Sequence, residues 1–92
     1  MAPGWQDSAD GLNEYAWWCV RFKTNLEEAE ALARLGVEKA EGGAQRAQVL
    51  DTLAEILFLR GDRKGAVEAA KQAAEMDPGN PWYRKQVGRF GS

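Results

Sequence analysis

The sequence predicts an all-α fold of five helices, paired as helix–turn–helix repeats within one domain spanning 1–92. Three observations carry this. Alanine is abundant and β-branched residues are few, a bias toward helix over strand. Apolar residues recur at i, i+3 and i+4 in successive stretches bounded by capping residues, glycines and prolines. The stretches also repeat along the chain at fixed offsets.

The first helix is expected from about Gly11 to Lys23, with Ala16, Trp17 and Val20 on one stripe and Leu12 or Asn13 a turn earlier. Asp10 or Ser8 is its candidate cap, and residues 1–9 are expected to be a flexible N-terminus. In the second helix, Asn25 followed by Glu28 reads as a capping box. Leu26, Ala29, Ala33, Gly36, Val37 and Ala40 then keep the helical spacing. Gly42 and Gly43 are expected to stop it in the left-handed conformation.

The third helix, from about Gln45 to Arg60, has Val49, Leu50, Leu53, Ile56, Leu57 and Phe58 on its apolar side. Gly61 ends it and Asp62 caps the fourth. That helix carries Ala66, Val67, Ala69, Ala70, Ala73, Ala74 and Met76, and Asp77-Pro78-Gly79 breaks it. Asn80 caps the fifth, and Pro81 suits the first helical position because its missing N–H is not needed there. The fifth helix ends near Phe90.

An offset of 37 repeats the first helix pair in the second: Val20 on Leu57, Asn25 on Asp62, Ala29 on Ala66, Ala33 on Ala70, and Gly36 on Ala73. The coinciding small residues give each second helix a shallow stripe on which a neighbour packs closely. An offset of 34 relates the third helix to the fifth, placing Leu53 on Val87 and Ala54 on Gly88. The three extra residues of the first interval fit the loop Glu41–Arg46.

The stretch Ala47–Asn80 resembles one complete tetratricopeptide repeat, matching at Leu50, Leu53, Ala54, Gly61-Asp62, Ala66, Ala73 and Asp77-Pro78. Residues 10–43 resemble a divergent repeat. Ala29 and Gly36 fit, Trp17 stands where the family often has a small residue, and Glu41 stands in place of the closing proline. Residues 81–90 resemble the solvating helix that caps such arrays. The wording around Leu12–Trp17, Asn25–Ala33 and Leu50–Ala66 also resembles repeat segments toward the C-terminus of larger bacterial proteins, some bearing a thioredoxin-like domain. The chain is thus expected to be an excerpt of such a protein.

The resemblance implies a short right-handed α-α superhelix whose first helices line a groove for a peptide. It would bring Glu14, Trp18, Arg21 and Phe22 to the groove from the first repeat. Asp51, Glu55, Phe58 and Leu59 would come from the second, and Trp82, Lys85 and Arg89 from the last helix. The family's carboxylate-gripping places hold Glu14, Trp18, Thr52, Trp82 and Gln86, none of them basic, so that clamp is not expected. An acidic centre (Glu14, Asp51, Glu55) with aromatic walls would suit a partner bearing a basic or polar residue beside an apolar anchor.

Composition excludes several other functions. Hydrophobic residues at 45 % and charged residues at 28 % are globular rather than disordered proportions. Twelve basic and 14 acidic residues leave a net charge of −2, with no footprint for nucleic acid. Arg84, Lys85 and Arg89 read as a solvated helix end. No apolar run suits a signal peptide or a membrane span. The single Cys19 allows no internal disulfide and leans the compartment toward a reducing, cytoplasmic one. It reads as half-buried and structural, since it aligns with Ile56.

There is no histidine, the commonest metal ligand and general base, and no glycine spacing of a phosphate loop. No metal, cofactor or catalysis is expected. Glu27-Glu28 and Asp51/Glu55 read as solvated faces.

Tyr15, Trp18 and Phe22 share one helical face, read either as a peptide anchor or as core and a seam to a neighbouring repeat. Trp17 reads as core. Leu32 and Leu35 read as scattered exposed leucines or as a dimer contact. Two functions follow: a peptide- or protein-binding scaffold, or a structural spacer, cap or homodimerisation element. Around three repeats are usual for a stable array, and two plus a cap leave room for self-association.

Overall fold

The computed structural model describes residues 8–91, and among them the fold is all-α with five helices. These are α1 (Ala9–Phe22), α2 (Leu26–Lys39), α3 (Gly43–Leu59), α4 (Arg63–Met76) and α5 (Pro81–Gly91). Each helix packs on the next, and α3 also packs on α1 and α5. The odd-numbered helices therefore form a row, with α2 and α4 seated against it. The shortest dimension of the Cα trace, 17 Å, accommodates two helical layers. None of the described helices is long and apolar enough to cross a membrane.

The repeat reappears as burial. Leu12, Ala16, Cys19 and Val20 are buried on α1, and 37 positions later so are Val49, Leu53, Ile56 and Leu57 on α3. The offset of 34 carries buried Val49, Thr52 and Ile56 onto buried Tyr83, Gln86 and Phe90 of α5. Ala29, Ala33 and Gly36 of α2 match Ala66, Ala70 and Ala73 of α4, all buried. The reason for small residues is visible at Gly36, where an added Cβ would lie 3.0 Å from Val49 Cγ1 and 3.5 Å from Leu12 Cβ. Cys19 is fully buried, like its counterpart Ile56.

Several helix ends form as the residues predict. Asp62 accepts from the Gly65 N–H at 2.8 Å, and Gly61 takes φ +87°, a conformation that glycine adopts without a Cβ clash. Asn80 Oδ1 accepts from the Trp82 N–H at 3.0 Å and starts α5. At α1 the cap is Ser8, whose Oγ accepts from the Gly11 N–H at 3.0 Å; Asp10 instead accepts from Gln45 of α3 at 2.9 Å. Of the stretch expected to be flexible, residues 1–7 lie outside the described residues, while Ser8 caps α1 and Ala9 is buried.

Two ends differ from expectation. Asn25 does not form a capping box: it sits at φ 50°, ψ 40° and makes no side-chain cap bond. Lys23, two residues earlier, is also left-handed at φ 51°, so the chain reverses sharply between α1 and α2. A capping residue normally sits in the β region, and Asn25 is itself left-handed. Glu28 instead accepts from the Tyr15 hydroxyl of α1 at 3.3 Å.

Gly42 and Gly43 do not stop α2. It ends at Lys39, followed by extended Ala40, while Gly42 at φ −154° flanks the start of α3 and Gly43 is its first residue. Gly43 serves close approach, because a Cβ there would lie 2.6 Å from the Met76 carbonyl oxygen of α4.

Candidate functional site in the row of odd helices

The face of α3 that meets α5 carries a run of polar residues at helical spacing, and α5 answers it with donors. Trp82 Nε1 donates to Asp51 Oδ2 at 3.1 Å. Gln86 Nε2 donates to Asp51 Oδ1 at 3.4 Å and to Glu55 Oε1 at 3.1 Å. Arg89 pairs with Glu55 through both nitrogens of its fork, Nη2 reaching Oε2 at 3.3 Å and Nη1 reaching Oε1. Arg89 Nη1 also donates to Gln86 Oε1 at 3.2 Å. Gln86, only 2 % exposed, thus has both amide donors and its oxygen engaged, as a buried carboxamide requires.

Apolar contacts extend this seam. The Phe58 and Phe90 rings lie 5.1 Å apart, and the Arg89 guanidinium stands 5.9 Å from the Phe58 centroid and 4.9 Å from that of Phe90. Of the residues expected in the groove, Glu55, Phe58 and Arg89 thus engage α5 and α3 with each other. Arg89 is accordingly no free cation of a solvated helix end. Its hydrogen bond to Glu55 holds its guanidinium above the ordinary pKa.

Asp51 differs from Glu55. Its donors Trp82 and Gln86 are neutral, and it makes no ion pair among those of the described residues. Burial pushes its carboxyl above the usual aspartate range, against the lowering effect of the two hydrogen bonds. A nearby Glu55 adds to the rise and Arg89 opposes it.

Asp51 opens onto a cleft of about 350 Å³ lined by Asn13 and Trp17 of α1, Gln48, Asp51 and Thr52 of α3, and Trp82 and Tyr83 of α5. Trp17 and Trp82 are each half exposed, at 50 %. Trp17 is therefore not core, as its place beside Ala16 had suggested. The stripe that α2 and α3 cover is Leu12–Ala16–Cys19–Val20, and Trp17 lies one residue, about 100°, around the helix from Ala16. Asn13 Oδ1 is buried beside the cleft with no hydrogen-bond partner. Thr52 Oγ1 is satisfied internally by donating to the Gln48 carbonyl at 3.2 Å.

The other expected site residues lie elsewhere. Trp18 and Phe22 pack on each other with centroids 4.7 Å apart, and Arg21 stands 5.7 Å from the Phe22 ring. Trp18 at 48 % and Phe22 at 56 % exposure form a separate aromatic surface on α1, while Tyr15 of the same face is half-buried against the core. Glu14 and Lys85 are exposed and do not line the cleft. Leu35 is exposed and Leu32 half-buried.

Of the eleven residues expected in the groove, the cleft brings together Asp51 and Trp82, and Leu59 packs against the core instead. Thr52, at one of the resembled family's carboxylate-gripping places, lines the cleft too, and the cleft adds Asn13, Trp17, Gln48 and Tyr83, which sequence reasoning did not place there. Trp17 was findable, since a bulky residue at a place usually small in the resembled family marks an altered surface. Among the described residues, no three His, Cys, Asp or Glu side chains converge to hold a metal.

No protein-family model matches the chain, and neither a curated protein nor a solved structure matches it.

Proposed function

We propose that this chain is a protein-interaction module of the tetratricopeptide kind, part of a larger bacterial protein, that binds a partner's peptide segment in the cleft between α1, α3 and α5. The observation that carries this reading is the pair of half-exposed tryptophans, Trp17 and Trp82, lining one cleft beside Asp51. Tryptophan dominates interface hot spots because it offers a large, rigid apolar surface with a polar edge. Two such side chains on different helices, held by a packed row, present a preorganised site. The serial packing and the burial repeats of 37 and 34 support the family reading.

Selection from a displayed peptide library tests it. Peptides enriched on the wild type should lose at least about tenfold in affinity on Trp17→Ala and Trp82→Ala. Enrichment only of peptides indifferent to both substitutions would remove the cleft from consideration.

A second reading, homodimerisation or docking to an adjoining repeat, is favoured by the Trp18–Phe22 surface. Light scattering separates the two. A dimer dissolved by Trp18→Ala, with Trp17 still solvent-accessible, would assign self-association to that surface.

A further inference from the structure

The charge of the cleft lining is one-sided: Asp51 is its acidic residue and the other lining residues are neutral. Asp51 contributes a carboxylate whose present partners are neutral, and whose two oxygens have about four acceptor positions for the two donors they receive. Asn13 also lines the cleft, but its Oδ1 is buried beneath the surface and lacks a donor there. The hydroxyl of Thr52 is turned to its own helix. No lysine or arginine lines the cleft. The walls are indoles, whose ring faces attract cations. A half-buried carboxylate without an ion-pair partner, in a lining with two indoles, is complementary to a cation carried on an apolar stem.

We infer that the cleft receives the basic side chain of a partner peptide, a lysine or arginine whose aliphatic stem lies along Trp17 and Trp82 and whose charged head rests on Asp51. This rests on the peptide-binding reading above and specifies its ligand. Glu55 does not compete for the cation, because Arg89 already neutralises it. Burial raises the Asp51 carboxyl above the usual range, and a cation placed beside it acts in the opposite direction, as Arg89 does from further off.

The test titrates four blocked heptapeptides of identical apolar frame, with arginine, lysine, norleucine or glutamate at the centre, into the full chain. The readouts are the indole N–H resonances in a nitrogen–proton correlation spectrum and the dissociation constant. The arginine and lysine peptides should shift the Trp17 and Trp82 indoles and bind at least about tenfold more tightly than the norleucine peptide. Asp51→Asn, which keeps an acceptor for Trp82, should erase that preference while its spectrum stays folded. Raising the salt concentration should weaken only the basic peptides.

If norleucine binds as well as lysine at the same two indoles, the cationic specificity is overturned and the peptide cleft survives. If no peptide moves Trp17 or Trp82, both fall.

Discussion

The indole N–H of Trp82 donates to Asp51 Oδ2 at 3.1 Å, joining residues 31 positions apart. One bond thus fixes the orientation of a wall of the cleft and ties it to the group that carries the cleft's charge. Gln86 holds the other carboxylate oxygen, so Asp51 is oriented from both sides by neutral donors.

Asp51 should lower stability at neutral pH. Its pKa is raised in the fold, chiefly by burial, so the folded state binds its proton more readily than the unfolded state. The cost of its charge is present above the raised value and is relieved as pH falls through it. Asp51→Asn should therefore show its greatest stability advantage over the wild type near pH 7, shrinking on acidification below the raised value. Paired urea titrations at neutral and acidic pH measure this. An advantage that grew on acidification would reverse the sign assigned to Asp51. Glu55 and Arg89, which face it, are unchanged in both proteins.

Asn13→Leu should stabilise the fold by about 1 kcal/mol, because it removes a buried acceptor without a donor and improves helix propensity. Chemical denaturation reads the change. A loss of stability would mean that the Asn13 amide is satisfied in solution.

Asn25→Ser separates a capping box from a left-handed turn. A serine would serve as a cap, but at φ 50° it should cost about 1 kcal/mol relative to asparagine. Asn25→Gly should be at least as stable as the wild type, since glycine adopts that conformation freely. Thermal melts that ranked serine above glycine would contradict the turn geometry.

Neighbouring glycines should respond oppositely. Gly43→Ala places a Cβ 2.6 Å from the Met76 carbonyl oxygen, and should cost about 1–3 kcal/mol through displacement of α3 from α4. Gly42 is extended, open, and gives α3 no side-chain cap. Gly42→Ser should gain about 0.5 kcal/mol by supplying one. Equal effects at the two positions would refute the contact with Met76.

Helix number, most boundaries and most of the core were legible because they depend on neighbours within a few residues. Asp62 and Asn80 cap through bonds three and two residues long, and the alanine stripes declare themselves by period. The glycines were harder. Gly61 acts through its own φ, whereas Gly43 acts through the backbone of another helix, 33 positions away in sequence. Asn25 misled because a cap motif presumes β-region backbone at the capping residue, and Asn25 is left-handed.

By itself, the sequence determined that this chain is a helical repeat, because helix period, caps and small-residue stripes are local or strictly recurrent properties. Only the tertiary structure decided which polar and aromatic groups remain available. Glu55 and Arg89 both looked like groove residues, yet each neutralises the other across α3 and α5. Trp17 looked like core, yet it stands half exposed and lines the same cleft as Trp82. Availability is what remains after distant side chains have chosen their partners, and those choices follow from how the helices cross, not from spacing along any one of them.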